Sequence, residues 1–422
     1  MLMEKYTEAS SGFEFKIGGF RIDLFWIIPI GLFFFPTTVR GMLLDSEIFR
    51  AVNIVAWFAI LIYLIIVPNG VKAIRAGIPT FISLLILYVI TIIANKSNLQ
   101  QAAGFFLATV LPVLWLNYRF FNKDFAIKAF KIWYQILYIA MIIIIIGEAV
   151  NAVSNNASSV FFANLYGNAS YFQLVNAGRL VSFYGHVIFT KEIILLFYVT
   201  GVLAHRYKVF QGTEIVYTAI AVIAMAITTS KMGIVLILVG ILYFNFNRKR
   251  IRYIVIMTLV GYATYSIGLF DAILERFNVA FSSGDITTGR NTALVALYSS
   301  GALSFDLLGG AGFTNMSTAM IAALEYPLLR LAYRHGIIYA VIVLLSVFVI
   351  PAIRLIRAHK MDLFVALLLI ALDINTFDSI ASVGDYMLIY CTFACLLMNL
   401  TDMDYEKVIP DRKKKIDIRL RG

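Results

Sequence analysis

Apolar residues recur along the chain in long, nearly uninterrupted runs that are separated by mostly short polar connections. A run of about 17 to 25 apolar residues is long enough to cross a lipid bilayer as an α-helix. The pattern therefore predicts an all-α integral membrane protein with about twelve transmembrane helices. The predicted spans lie near Asp23–Val39, Ile48–Val67, Pro79–Ala94, Ala102–Leu116, Trp133–Val150, His186–Ala204, Ile215–Thr228, Met232–Phe246, Tyr253–Phe270, Gly336–Ile353, Leu363–Ile380 and Gly384–Leu400.

Two connections are much longer than the others, residues 151–185 and residues 271–335. A long connection with its own apolar residues is usually functional in a compact membrane protein, since a helical hairpin needs far fewer residues. We therefore expect one polytopic membrane domain over residues 1–422, with two long extracytoplasmic loops. Residues 401–422 form a basic tail that we expect to be cytoplasmic.

Composition excludes a soluble protein, because 61% of the residues are hydrophobic and 14% are charged. The mean hydropathy is +0.86, and a soluble chain of this size needs more polar surface to cover its core. Cys391 and Cys395 lie in one apolar run, so packing is predicted for them and a disulfide framework is not. The polar N-terminal stretch is not typical of a cleaved signal peptide.

Lysine and arginine are distributed unevenly between the two predicted sides. Cytoplasmic connections retain these residues, and twenty-five of the 35 fall on one side if both termini are cytoplasmic. The net charge of +11 then reflects contact with anionic membrane lipids, and we expect no nucleic-acid partner. The ten outer cations are Arg40, Arg50, Lys96, Arg179, Lys191, Lys231, Arg276, Arg290, Arg330 and Arg334.

Arginines of the second long loop are unusual because the charge rule depletes the outer side of cations. A guanidinium is permanently charged and forked, so it suits a phosphate or diphosphate better than a sugar hydroxyl. Arg290, Arg330 and Arg334 are therefore predicted to be functional, whereas Arg179 and Lys231 fit a functional or an interfacial role equally well. For Arg40, Arg50 and Lys96 we expect interfacial placement or a salt bridge to Asp271, Glu275, Asp285 or Asp306.

Outer acids and histidines supply the candidates for acid–base chemistry. Glu325 lies close to the arginine pair, whose charges would keep its carboxyl group ionised. The sequence has no cluster with zinc-site spacing, so no metal and no cofactor are expected. The glycines of "LLGGAGF" lack the flanking residues of a nucleotide loop. The other candidates for acid–base chemistry are His335, His186, Glu148, Asp285 and Asp306. For Asp373, Asp378 and Asp385 we expect either solvation or a place in a proton or ion path.

Four segments occur in an order typical of one family. They are "GRLVSFYGHVIFTKEIILLF", "AITTSKMGIVLILVG", "TTGRNTALVALYSSGALSFDLLGGAGF" and "LEYPLLRLAYRHGIIYAVIVLL", and they all lie within the C-terminal two-thirds of the chain. Through them the chain resembles the O-antigen polymerase and O-antigen ligase superfamily of bacterial envelope enzymes. It departs from the usual motifs in having Ser230-Lys231 for Ser-Arg, no aromatic residue soon after Gly289-Arg290, and Glu325 where ligase-like members carry histidine.

The resemblance implies a GT-C-type membrane glycosyltransferase that acts at the outer face of the bacterial cytoplasmic membrane. Its substrates would be polyprenyl-diphosphate-linked oligosaccharides, and its partners would include a chain-length regulator and a flippase of the same pathway. From the residues themselves we expect a single displacement with inversion, with Arg290 as a stabiliser of the leaving diphosphate and Glu325 as the base. The substrate-binding residues would be Arg179, Lys231, Arg276, Arg330, Arg334 and His335.

Two alternatives stay open at this stage. A ligase would move a finished glycan to another acceptor, and the shared motifs do not exclude it, although Glu325 weakens this interpretation. A flippase for the same lipid-linked repeats would explain Lys231, Asp373 and Asp378 near or within spans. The long outer loops, and the absence of an obvious repeat of two halves in the sequence, favour a polymerase over a transporter.

Overall fold

The described part of the computed structural model is predominantly helical, with one short β-hairpin near the start of the chain. The hairpin pairs Glu14–Ile17 with Phe20–Asp23 in antiparallel register. The predicted all-α class is confirmed for the membrane part, because the hairpin precedes the first apolar helix. The structure describes residues 14–17, 20–44, 52–65, 70–120, 123–177, 179–209, 214–228, 230–245, 255, 258–259, 262, 265–266, 271–282, 289–313, 316–375 and 379–401.

Helices occupy eleven of the twelve predicted spans, and the remaining one, Tyr253–Phe270, lies mostly outside the described residues. In chain order we number the principal described helices α1 (Ile27–Phe34), α2 (Thr37–Leu43), α3 (Ile54–Ile65), α4 (Ile78–Asn95), α5 (Leu99–Leu116), α6 (Lys123–Val153), α7 (Ala157–Tyr166), α8 (Ala169–Asn176), α9 (Val187–Arg206), α10 (Glu214–Ile227), α11 (Lys231–Asn245), α12 (Asp271–Ser282), α13 (Arg290–Ser299), α14 (Thr318–Ala323), α15 (Pro327–His335), α16 (Ile337–Arg357), α17 (Met361–Ile374) and α18 (Tyr386–Asn399).

Five helices of the described part, α4, α5, α6, α9 and α16, are long and apolar enough to cross a membrane. The bent pair α1 and α2 makes a sixth if it is counted as one span. These lengths agree with the predicted membrane protein, since about 20 apolar residues in a helix cover the hydrocarbon core. The count of twelve spans stays a prediction.

The helix α9 lies at the centre of the bundle, with 89% of its most apolar window buried. It contacts α6, α10, α11 and α17. A helix that is apolar on all sides is typical of such a position. Lys191 and Glu192 interrupt its apolar sequence one turn after its start, and charged groups at this depth require partners.

The first predicted span is broken, because α1 and α2 meet at an angle of 81°. Pro36 lies at the break, where proline cannot donate the backbone hydrogen bond that would continue α1. The Asn53 amide donates to the carbonyls of Gly31 and Phe35, and Arg40 also donates to the Phe35 carbonyl. The freed carbonyl groups are thus satisfied inside the protein, as the membrane interior requires.

Both long loops contain helices of their own. Residues 151–185 include α7 and α8, and residues 271–335 include α12 to α15. Side chains cap two of these helices at their first turn, since Asn168 accepts from the Ser170 amide and Ser317 from the Met320 amide. The described parts of these loops are therefore folded structure with defined ends.

Polar contacts join the connections between helices into two groups, one at each end of the bundle. We call the end that contains the start of α9 the site end and the end that contains the last residues of α18 the tail end. Each contact joins connections that alternating spans would place on the same side. At the site end these contacts join Arg40 to Asp385, Asn95 to Gly309 and Gly310, and Arg334 to Ala381. At the tail end they join Arg119 to Met398, Arg354 to Asn117, and Phe120 to Asn399.

Candidate active site

The two predicted catalytic residues lie together. Arg290 is the first residue of α13, and Glu325 lies in the connection between α14 and α15. The Arg290 guanidinium Nε forms an ion pair with Glu325 Oε2. Their side chains are 28% and 19% exposed, so the pair is reachable from solvent. The sequence placed both residues in one loop but did not predict their contact.

A glycine and a hydrogen bond hold this contact in place. Gly289 precedes α13 with φ of +88°, a left-handed conformation that side-chain-bearing residues rarely adopt. This turn starts α13 at Arg290. The Tyr326 hydroxyl donates to Asn291 Oδ1 at 2.7 Å, which ties the residue after Arg290 to the residue after Glu325. The Gly-Arg-Asn and Glu-Tyr segments therefore form one small unit.

Arg330 and Arg334 follow on α15, one helical turn apart. Arg330 is buried. Burial and the nearby charge of Arg334 lower the pKa of Arg330 to about 10, while the charge of Glu325 acts in the opposite direction. Burial also lowers the pKa of Arg334. The Arg334 guanidinium donates to the Ala381 carbonyl at 3.1 Å and lies 5.5 Å from the Phe105 ring centre. Two partly desolvated guanidinium groups so close together favour the approach of an anion.

His335 is fully buried at the end of α15. Rings of Tyr88, Phe105, Phe313 and Tyr339 surround it, with centroids 4.6 to 5.6 Å from the imidazole centroid. Burial, and secondarily the charge of Arg334, lowers the pKa of His335 to about 3. Among the described residues neither ring nitrogen has a hydrogen-bond partner. This environment keeps the imidazole neutral and gives it a packing role; its predicted contact with substrate stays a prediction.

A second group of predicted cations surrounds the start of α9. His186 caps this helix by accepting from the Ile188 amide at 3.2 Å. Arg179 and Lys191 lie close enough to His186 for their charges to act on its imidazole. Lys231 begins α11, and the Lys191 stem packs against the next turn of that helix, because a Cβ added at Gly233 would lie 2.8 Å from Lys191 Cγ. The described contacts therefore place Arg179 and Lys231 near α9.

A cavity of about 270 Å³ opens between α2, α8, α9, α17 and α18 at the site end. Two buried ion pairs support its wall. Lys191 Nζ lies 2.6 Å from Asp373, with both side chains at most 2% exposed. Arg40 forms two hydrogen bonds to Asp385 at 2.8 and 2.9 Å. The cavity is further lined by Thr37, Thr38, Tyr171, Tyr184, Phe189, Glu192, Ser382, Tyr386 and Tyr390.

Sequence reasoning missed this cavity, although signals for it were present. The adjacent charges Lys191 and Glu192 interrupt an apolar span, and such residues mark polar sites within membranes. The salt bridge expected for Arg40 exists, but the expected partners were wrong: the acid is Asp385, which the broken helix brings close. Asp373 and Asp385 are buried, so of the two expectations for these acids the one that they are solvated was wrong. Arg50, Asp285, Asp378 and the side chain of Arg276 lie outside the described residues.

Metal ligands do not gather in the described part of the chain, where no group of three histidine, cysteine, aspartate or glutamate side chains could hold an ion. Cys391 and Cys395 are buried thiols without a disulfide, as their apolar surroundings predicted.

Comparison with known proteins gives no match to a family model, a curated protein or a solved structure.

Proposed function

We propose that this chain is a membrane glycosyltransferase that joins polyprenyl-diphosphate-linked oligosaccharide repeats into a polysaccharide. In this proposal the site end faces outward from the bacterial cytoplasmic membrane and both termini are cytoplasmic. The bundle then has about twelve spans in a GT-C-type arrangement. Membrane lipids surround it, and a flippase and a chain-length regulator act in the same pathway.

The contact between Arg290 and Glu325 is the observation that carries this proposal. The two residues belong to different segments of the second long loop, and the fold joins them at a partly exposed position. Arg330 and Arg334 follow Glu325 on the next helix. A carboxylate, a paired guanidinium and two further guanidinium groups are the parts needed to deprotonate a hydroxyl beside a leaving diphosphate.

The chemistry is a single displacement at the anomeric carbon of the donor glycan. The acceptor hydroxyl oxygen forms the new bond to that carbon, and its proton goes to Glu325. The bond from the anomeric carbon to the diphosphate breaks, and the diphosphate leaves with the electron pair. Arg330 and Arg334 stabilise its charge. Arg290 contributes by exchanging its contact with Glu325 for a contact with the diphosphate, which frees the carboxylate to act as base.

A transporter of the same lipid-linked repeats is the second candidate, and a specific observation favours it. The Lys191–Asp373 pair is buried beside a cavity, and buried ion pairs of this kind serve proton or ion paths in transporters. A ligase would use the same loop chemistry but a different acceptor.

A deletion strain separates a polymerase from the other two functions by the surface glycan it makes. A polymerase predicts that single repeat units are still exported and that the ladder of longer chains is lost from a gel. Loss of all surface glycan would instead point to transport or ligation and would overturn the proposal.

Complementation of that strain then tests the arginine. Arg290→Lys keeps the charge but removes the forked donor, so the ladder should shorten or disappear. Arg354→Lys is the matched control, because Arg354 lies at the tail end and contacts Asn117. An unaltered ladder with Arg290→Lys, at normal protein abundance, would remove Arg290 from the active site.

A further inference from the structure

The cavity beside α9 has charges unlike those of the arginine-bearing loop. The charged side chains that line it, among the described residues, are the acids Glu192, Asp373 and Asp385. Their cationic partners Lys191 and Arg40 do not line it. Asp373 and Asp385 are paired with these cations, so the described lining offers a diphosphate no cation of its own, while carboxylate oxygens accept hydrogen bonds from hydroxyl or amino groups. The cavity therefore suits a ligand rich in hydroxyl or amino groups.

The size and the remaining lining of the cavity also fit a sugar. Its volume is about 270 Å³, enough for one or two sugar rings. The lining runs from Phe189 to Leu196 along α9, a depth of about 10 Å. Aromatic rings line it as well, and those of Phe189 and Tyr386 lie 4.4 Å apart. Flat aromatic faces beside fixed hydrogen-bond acceptors offer contacts for both faces and edges of a sugar.

A buried hydroxyl in the wall lacks the partner that such a ligand would supply. Tyr184 lines the cavity and is 4% exposed. Its hydroxyl has no hydrogen-bond partner in the part of the chain that the structure describes. Buried polar groups are normally paired, and an unpaired one destabilises the protein. A ligand hydroxyl in the cavity would satisfy it.

The cavity also adjoins the arginines. Arg334 donates to the Ala381 carbonyl, and the next two residues, Ser382 and Val383, line the cavity. One substrate could therefore contact both places.

We propose that this cavity binds sugar residues of the acceptor repeat unit, while the arginines of the second long loop hold the diphosphate. This inference rests on the proposed glycosyltransferase function and adds a separate saccharide site to it.

Binding to the purified full-length protein in detergent tests the saccharide site without chemistry. The probe is the repeat oligosaccharide released from its lipid diphosphate by mild acid, and calorimetry measures its affinity. We expect Tyr184→Phe to weaken binding by roughly three- to tenfold, the effect of one hydrogen bond, without lowering thermal stability. Tyr88→Phe is the matched control. The Tyr88 hydroxyl donates to the Ala102 carbonyl outside the cavity, so this variant should lose stability and keep its affinity.

Two further variants keep the test independent of Tyr184. Glu192→Gln should weaken oligosaccharide binding by roughly tenfold, since a charged acceptor is lost, whereas Glu275→Gln makes the same change in an exposed glutamate that is not among the residues lining the cavity. Val383→Trp should block the mouth and abolish binding. Unchanged affinity in all three cavity variants would place the sugar elsewhere and overturn the inference.

Other outcomes separate this inference from the proposed function. Binding of farnesyl diphosphate that is weakened by Arg330→Gln, with no binding of the oligosaccharide, would overturn the saccharide site and leave the glycosyltransferase proposal standing. Stabilisation by sodium that Glu192→Gln removes, again without oligosaccharide binding, would identify a cation site instead. Oligosaccharide binding in a protein whose deletion leaves the glycan ladder intact would support the sugar site and refute polymerisation.

Discussion

The second long loop and the cavity beside α9 both join cations to acids, but they do so in opposite environments. Arg290 and Glu325 meet where their side chains are 28% and 19% exposed. Lys191 and Asp373 meet where neither exceeds 2%. A surface pair contributes little to stability because water screens it. A buried pair has lost its hydration, so each partner depends on the other.

The difference in exposure means that the Arg290–Glu325 pair can exchange partners, whereas the Lys191–Asp373 pair supports the wall of the cavity. A substrate anion can compete for Arg290, since water already surrounds part of the pair. An anion reaching Lys191 would have to leave Asp373 as an uncompensated buried charge. We therefore expect substitutions in the loop to change activity while the free energy of unfolding stays nearly constant. Substitutions in the buried pair should mainly lower the free energy of unfolding.

The largest effect should follow Glu325→Gln, which keeps the shape of the side chain and removes its charge. Polymer formation should fall by roughly 100-fold or more, the usual loss for a general base, while the free energy of unfolding changes by less than about 1 kcal/mol. The glycan ladder and unfolding by SDS in mixed micelles measure these quantities. Glu275→Gln, at an exposed position of the same loop, serves as the control. A ladder of normal length with Glu325→Gln would contradict the assignment of Glu325 as the base.

Lys191→Met should have the opposite profile. It leaves Asp373 buried without its cation, so we expect the free energy of unfolding to fall by about 3–5 kcal/mol. The double variant Lys191→Met/Asp373→Leu should recover most of this loss, because it removes both charges. Unfolding in mixed micelles measures both variants, and Lys96→Met, at an exposed position, controls for the chemical change. A single variant as stable as wild type would contradict the buried pair.

The sequence predicted the exposed region better than the buried one, and the reason is physical. Length and hydropathy locate apolar helices directly, so helices were found in eleven of the twelve predicted segments, and five or six of them are long and apolar enough to cross a membrane. Arg290 stood out because few cations fall on the predicted outer side, and Glu325 stood out because it lies close to the arginine pair in sequence. The partners of Arg40 and Lys191 were not predictable from spacing, since Asp385 and Asp373 lie far along the chain. The bend at Pro36, which turns Arg40 toward Asp385, was hidden inside one continuous apolar run.

A smaller effect should appear when the pH is lowered, through His335. Its folded pKa of about 3 lies below the ordinary value of 6.5. Below pH 6.5 the unfolded chain therefore binds a proton that the folded protein excludes. Stability should be unaffected above that pH and fall as the pH decreases toward 3, with a loss of about 1.4 kcal/mol at pH 5.5.

The variant His335→Phe tests this origin of the pH dependence. Phenylalanine fits an aromatic surrounding and cannot take up a proton, so the difference in unfolding free energy between pH 7.5 and pH 5.5 should shrink by about 1.4 kcal/mol. His359→Asn, at an exposed position with φ of +55°, should leave that difference unchanged. An unchanged pH dependence in His335→Phe would assign the effect to other groups.

The smallest expected effect is the most direct measure of the contrast between the two regions. A double-mutant cycle with Arg290→Gln and Glu325→Gln should give a coupling energy of about 0.2–1 kcal/mol, as for other partly exposed pairs. The same cycle at Arg40 and Asp385, with both side chains nearly buried, should give a clearly larger value. In the proposed mechanism, weak coupling allows a diphosphate to displace Glu325 from Arg290. A loop coupling above about 2 kcal/mol would make that exchange too unfavourable and assign the pair a structural role.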